Sequence, residues 1–336
     1  MKILIVGGTG LISTAISRIL LARGDELFLF NRGTTPARIP DGARFIVGDR
    51  NDHDDFARKI ADAGHFDCVI DMVCYLPEQA ESAVAIFRGR TEHFVFCSTV
   101  DVYERLWHRL PIREDEARHP RSPYGEKKVK CEDIFMAAHA RGDLAVTVMR
   151  PAHTYGEGGR MLNSMGFRTT YLDRIRKGKP IIVHGDGKSL WVTCHIDDVA
   201  PTFVAAAGNP VAFGKAYHMT GEDWMTWDQY HHGVAEAMGA PEPVLVHIPT
   251  DLLARVAPER AGICLGNLQF NNVFDNTAAR TDLGFRPTIS WVEGVRRTVA
   301  WMDANDKIEN SDADPLEDRI IAAWRRLGAA MVAEFE

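Results

Sequence analysis

Three features of the first 150 residues predict an α/β fold built on a doubly wound parallel sheet. Short apolar runs alternate with helix-like stretches; the runs are apolar at every position; and the first leads through a glycine-rich turn into a helix. Strands without polar alternation have both faces covered, as helices cover the two faces of a parallel sheet.

ILIV (3–6) reads as the first buried strand. LISTAISRILLARG follows, with Ile12, Ile16, Ile19 and Leu20 on one helical face and Gly24 as the C-terminal stop. LFLF (27–30), RFIV (44–47), CVIDMV (68–73), HFVF (93–96) and LAVTVM (144–149) continue the strand series, with DDFARKIADAG and PEQAESAVAIFRG as helices between them. The expectation is a Rossmann-type dinucleotide-binding domain over 1–165. A smaller C-terminal α/β substrate-binding region follows over 166–336, from which 190–215 returns to the first sheet. GEGGRMLNSMG (156–166) reads as a loop. TWDQYHHGVAEAMG, ISWVEGVRRTVAWMD and PLEDRIIAAWRRLGAAMVAEF read as amphipathic helices, the last preceded by a polar break at 305–315.

With 336 residues, 46% of them hydrophobic and 25% charged, the chain has ample material for a core. The net charge of −7 gives no sign of the basic face that nucleic-acid binding needs. The 13 histidines form no HExxH or other tight ligand spacing, so no metal is expected; His231-His232 lies in a helical polar segment. The six cysteines (Cys68, Cys74, Cys97, Cys131, Cys194, Cys264) make no CxxC pair, and four lie in apolar runs as small hydrophobes. The five-residue apolar run of MKILIVGG is too short for a signal-peptide core or a membrane span, and a cytoplasmic protein is expected.

GGTGLIS (7–13) joins the first strand to the first helix. Gly7 and Gly10 suit a backbone lying against a pyrophosphate, with Gly8 giving the turn freedom. Thr9, Leu11 and Ile12 complete a helix N-terminus whose N–H groups face the anion. The third glycine of the usual fingerprint is replaced by Ser13. At the end of strand two, FNRG offers Asn31 and Arg32 where an NAD-binding protein carries an acid. A guanidinium can grip a 2′-phosphate, so NADP is favoured over NAD. Asp49, followed by Arg50 in VGDRND, is placed to meet the adenine.

SPYGEKKVKCED (122–133) sets Tyr124 and Lys128 four apart on one helical face. A neighbouring ammonium favours a phenolate and lowers its pKa, and the same lysine can hold a cofactor ribose. Upstream, FCSTVDVYE (96–104) is a buried strand that runs out into hydroxyls. With VGGTGLIS, GDRND, YGEKK, RPAHTYGEGG, HIDDVA and ARTDLGFRPTISWVEGV, the chain resembles the extended short-chain dehydrogenase/reductase family, its nucleotide-sugar epimerase and dehydratase group, over roughly 3–303.

The resemblance implies that Tyr124 is the acid/base, Lys128 its partner, and Thr99 or Ser98 the group that orients the reacting hydroxyl. It places Met72, Val73, Pro151 and His153 along the cofactor. It also implies a homodimer through helices near 77–88 and 123–141, with Phe135, Met136 and Ala137 supplying apolar surface. Two departures bear on the reaction. Dehydratases of this group carry Asp-Glu after the threonine; here Val100-Asp101 stands there, which argues against 4,6-dehydration and leaves Asp101 as a single acid or base, or as a cap. Trp191 replaces an arginine that grips the substrate diphosphate; an indole cannot neutralise that charge but can stack on a sugar or ring, and the alternative is a plain core residue on a strand. Arg160, Arg168, Arg260 or Arg280 could restore that charge. The expected activity is hydride transfer at a carbinol carbon of a sugar nucleotide or related sugar. The alternatives are an NADPH-dependent reductase of a small ketone and a non-catalytic module like the plastid RNA-binding relatives.

Overall fold

The computed structural model describes residues 1–34, 38–104 and 109–336. Chain contacts divide it into two units: Met1–Thr154 with Cys194–Gly221 and Phe274–Thr288, and Tyr155–Thr193 with Glu222–Val273 and Ile289–Glu336. Among the described residues no helix is long and apolar enough to cross a membrane.

The first unit is built on β1 (Lys2–Val6), β2 (Glu26–Asn31), β3 (Arg44–Val47), β4 (Phe66–Asp71), β5 (Thr91–Cys97) and β6 (Val146–Pro151). A seventh strand, Ala216–Met219, pairs with β6, and the spatial order from that edge is Ala216–Met219, β6, β5, β4, β1, β2, β3. Every pairing is parallel, with Ile5 opposite both Leu29 and Ile70. Helices α1 (Leu11–Arg23) and Ile196–Ala206 cover one face; α2 (His53–Ala63), α3 (Pro77–Phe87) and α4 (Pro123–Ala140) cover the other. The chain order reverses between β1 and β4, the point at which such sheets open a crevice.

Strand β3 departs from the all-buried pattern. It is the outer strand, and Phe45 and Val47 are 49% and 55% exposed, so its apolar run does not signal burial on both faces. Phe135 departs in the opposite sense. It is buried against Phe94 and Phe96, both with ring centroids at 4.9 Å, so only Met136 and Ala137 of the three expected interface residues offer surface.

The second unit has its own core. Trp227, Tyr230 and Trp291 stack at its centre, with Tyr230 and Trp291 centroids 4.3 Å apart. Strand Ile181–His184 pairs in parallel with Leu245–Ile248. The polar stretch before the last helix is tied down by ion pairs: Arg168 to Glu309 (3.1 Å), Arg260 to Asp314 (2.7 Å) and Lys177 to Asp312 (2.7 Å).

Both cores enclose neutral histidines. In the first unit His93 accepts the Gly208 N–H (3.1 Å), and His218 lies between the Tyr103 hydroxyl (2.6 Å) and the Asp275 carbonyl (2.9 Å). In the second, His184 meets Ser164 Oγ at 2.9 Å and His231 lies among Trp227, Tyr230 and Tyr171. Burial lowers all four, His93 and His184 to about 4 and His218 and His231 to about 3. The unfolded chain takes up these protons near pH 6.5 and the folded chain does not. The stability they contribute is therefore complete above about pH 6.5 and is lost as the pH falls toward about 4. Each histidine should cost about 1–2 kcal/mol between about pH 7.5 and about pH 5. Urea midpoints at those two pH values test this; equal midpoints would show that the rings are not held neutral.

Candidate active site in the first unit

A cavity of about 370 Å³ opens at the C-terminal ends of β1 to β4. Gly7, Thr9, Gly10, Asn31, Arg32, Asp49, Arg50 and Val73 line it, all of them expected from the sequence, together with Tyr75, Asn51 and Gln79, which were not. Leu11 and Ile12 begin α1, and Met72 packs with them against the core on that face. Pro151 ends β6 and His153 follows, outside the cavity lining. Burial lowers His153 to about 4, so its ring is neutral at pH 7.

The glycines divide their work differently from the sequence expectation. The left-handed backbone is at Gly7 (φ 87°), where a Cβ would lie 2.4 Å from Val73. Gly8 supplies close packing, since a Cβ there would lie 2.4 Å from Leu29. Ser13 does more than fill the place of the third glycine. Its hydroxyl donates to the Gly7 carbonyl (2.9 Å) and accepts the Gly10 N–H (2.8 Å), closing the turn on itself.

Arg50 differs from expectation. Its guanidinium is buried, with Nη1 donating to both Asp71 oxygens at 2.8 Å and Nη2 to the Gln79 carbonyl at 3.1 Å. That charge neutralises the buried Asp71 and is not available for a phosphate. Arg32 is exposed at the rim. Asn31 Oδ1 accepts the Gly33 N–H (2.8 Å), and its buried Nδ2 has no hydrogen-bond partner. An unsatisfied donor beside a glycine cradle that any Cβ would fill suits a ribose and pyrophosphate, so the residues present fit a dinucleotide.

Helix α4 carries Tyr124 and Lys128. Ser122 caps it by accepting the Gly125 N–H (2.9 Å), and Ser122 Oγ donates to Asp101 Oδ2 (2.5 Å). Asp101 therefore holds the helix cap rather than standing as an isolated acid. Gly125 was not singled out from the sequence, yet a Cβ there would lie 2.3 Å from the Asp101 carbonyl, so only glycine lets this helix start approach the 100–102 turn. Lys128 is 1% exposed, and its Nζ donates to the Cys74 and Cys97 carbonyls, both at 2.8 Å. The ammonium also lies over Phe96 (4.7 Å) and Tyr75 (4.8 Å). Thr99 accepts the Asp101 N–H (3.1 Å) and lies close enough to Tyr124 to act on its hydroxyl, while Ser98 is buried beside Glu132. Of the two hydroxyls, Thr99 is the one brought to Tyr124.

Tyr124 contradicts the expected phenolate. Although the residue is 44% exposed, partial desolvation with the nearby Cys97, Tyr75 and Asp101 shifts its pKa upward from the ordinary value, and the neighbouring Thr99 opposes this only in part. The Lys128 charge is already engaged by two carbonyls. In this state Tyr124 is a neutral phenol, a proton donor rather than a base.

Trp191 is 4% exposed and stacks on Trp227 in the second unit's core, with centroids 5.1 Å apart. Its ring face is taken, contrary to the expectation that it stacks on substrate. Arg168 and Arg260 are likewise committed to Glu309 and Asp314.

A parallel sheet with a glycine turn at its switch point and a Thr–Tyr–Lys set on the next strand and helix defines an extended short-chain dehydrogenase/reductase. Residues 3–219 match the NAD dependent epimerase/dehydratase family, and the chain belongs to it. It is 31% identical over 259 residues to the chloroplast stem-loop binding protein of 41 kDa b of Arabidopsis thaliana, covering 73% of this chain and 65% of that protein. It is 27% identical over 248 residues to the 2'-dehydrokanamycin reductase of Streptomyces kanamyceticus, covering 73% and 69%. Among solved structures, the UDP-glucuronic acid 4-epimerase of Bacillus cereus in complex with NAD matches with a TM-score of 0.73 over 91% of this chain and 99% of that one, at 18% identity, a likeness of fold.

Replacing Ser13 with alanine leaves the Gly7 carbonyl and the Gly10 N–H without their shared partner and should cost about 1–2 kcal/mol in stability. Urea unfolding of Ser13→Ala against wild type measures it, and an unchanged midpoint would show that the turn closes without the hydroxyl.

Proposed function

We propose that this protein is an NADPH-dependent reductase that delivers hydride to the carbonyl carbon of a small, sugar-like ketone. The observation that carries the reading is Arg32, exposed at the rim of the cavity, with no acid at the end of β2. Reduction needs a hydride and a proton. The bound dinucleotide supplies the first. Tyr124 gives its phenolic proton to the carbonyl oxygen as that oxygen gains negative charge, and Thr99 aligns the same oxygen. Lys128 stabilises the phenolate that remains until solvent returns the proton.

A free sugar-like ketone is preferred to a sugar nucleotide because Trp191 packs on Trp227 and two of the four candidate arginines, Arg168 and Arg260, are engaged within the second unit. The named ketone reductase among the relatives supports the same direction. Epimerisation is the second reading, favoured by the full-length likeness of fold to an NAD-bound epimerase. NAD(H) retained through purification would select it. The net charge of −7 argues against RNA as the ligand, despite the plastid relative. The likeness to family members is also the ground for expecting a homodimer.

Two variants test the reading. Tyr124→Phe should lower turnover with NADPH and keto-sugars by about 10²–10⁴-fold while leaving NADPH binding within about threefold. Arg32→Ala should reduce the preference for NADPH over NADH by about tenfold, or about 1.4 kcal/mol, by calorimetry. If wild type binds the two cofactors alike, the assignment of Arg32 to a 2′-phosphate fails.

A further inference from the structure

A single line of hydrogen bonds runs from the adenine side of the cavity to the Lys128 ammonium. Asp49 Oδ1 accepts both the backbone N–H and the side-chain Nδ2 of Asn51, each at 2.9 Å. Asn51 Oδ1 accepts Gln79 Nε2 (2.8 Å). Gln79 Oε1 accepts the N–H groups of Tyr75 (2.7 Å) and Leu76 (3.1 Å). The Tyr75 N–H belongs to the Cys74–Tyr75 peptide, and the carbonyl of that same peptide accepts Lys128 Nζ at 2.8 Å. One peptide plane is thus held at its N–H by Gln79 and at its C=O by the lysine. The Tyr75 ring carried by this peptide lies beneath the ammonium at 4.8 Å and beside the Tyr124 ring, with centroids 6.5 Å apart.

Gln79 is the member of this line that reaches the loop beside the lysine, donating to Asn51 on one side and accepting the Tyr75 and Leu76 N–H groups on the other. It is 7% exposed, and its carbonyl is fixed by Arg50 (3.1 Å), so its side chain has little freedom to find other partners. We propose that Gln79 is a positioning residue that couples occupancy of the adenosine end of the cavity to the placement of Lys128 and Tyr75 at the nicotinamide end. An adenine amine that engages Asp49 draws on the oxygen that now holds Asn51. Asn51 and Gln79 respond together, and the Cys74–Tyr75 peptide carries the change to the ammonium and the Tyr75 ring.

The proposal rests on the dinucleotide reading above, and its test separates the two. Calorimetry compares 2′,5′-ADP with NADPH, and ADP with NADH, on wild type, Gln79→Glu and Gln79→Leu. Glutamate keeps the acceptor for Tyr75 and Leu76 but has no proton to donate to Asn51, and Asn51 can donate to it only by turning its amide and putting its own oxygen against Asp49. Either way the line is cut while the loop stays held, so this variant remains informative even if the leucine variant fails to fold. The affinity gained by adding the nicotinamide half should fall by about tenfold in Gln79→Glu, with ADP-type binding within about threefold of wild type. A residue that merely walls the pocket would weaken fragment and dinucleotide alike; that result, or no change in either, overturns the coupling. If wild type binds neither fragments nor dinucleotides, the functional reading falls and the coupling falls with it.

Discussion

The buried ammonium of Lys128 is the constraint on which the arrangement of this site depends. A charge that is 1% exposed costs several kcal/mol unless its donors are satisfied. Here two main-chain carbonyls and two aromatic faces meet that cost. The carbonyls come from Cys74 in the loop after β4 and from Cys97 at the end of β5. The lysine thus draws the ends of two neighbouring strands onto one helix, and the Tyr75 ring and Thr99 take their places from those strand ends. The same helix is anchored at two further depths. The Ser122 cap is held by Asp101, and farther along Glu132 makes a paired contact with Arg150 at 2.9 and 2.6 Å. Tyr124 sits between the first two anchors, so its hydroxyl has little freedom relative to Thr99.

Three buried cations of the first unit organise the site and its supports. Arg50 neutralises Asp71, Arg150 neutralises Glu132, and Lys128 is shared between carbonyls. Arg32 stands apart at the exposed rim of the cavity. Structural cations are therefore buried and paired, while the cation assigned to ligand recognition faces solvent. Neutral Tyr124 belongs to the same economy, because the charges that could have ionised it are already used.

Much of the sheet was legible because its inner strands are hydrophobic on both sides, and five short runs, ILIV, LFLF, CVIDMV, HFVF and LAVTVM, fall on β1, β2, β4, β5 and β6. Strand β3 has the same composition but lies at the edge, and composition alone does not record strand order. The seventh strand, AYHM, is short and mixed, and its place beside β6 follows from tertiary pairing. In the glycine turn, residue types announced a tight bend, but which glycine takes positive φ and which meets Leu29 depends on coordinates. Gln79 looked like any polar residue of a helical stretch, because Asn51 and Arg50, two of its partners, lie 28 and 29 residues away in sequence. Trp191 could be read as either a stacking surface or core, and only Trp227 on its face separates the two.

The first unit is not a continuous piece of chain. It is assembled from Met1–Thr154, Cys194–Gly221 and Phe274–Thr288. The middle segment brings the helix Ile196–Ala206, whose Val199 and Phe203 share a core with Ile16 and Leu20 of α1, and the outer strand beside β6. A fragment cut near residue 154 would expose that greasy face of α1 and leave β6 as a raw sheet edge open to other chains. During synthesis the same fragment exists for as long as the ribosome needs to reach Thr288. The early sheet must therefore persist half-covered, and its last buried surface closes only when most of the polypeptide has emerged.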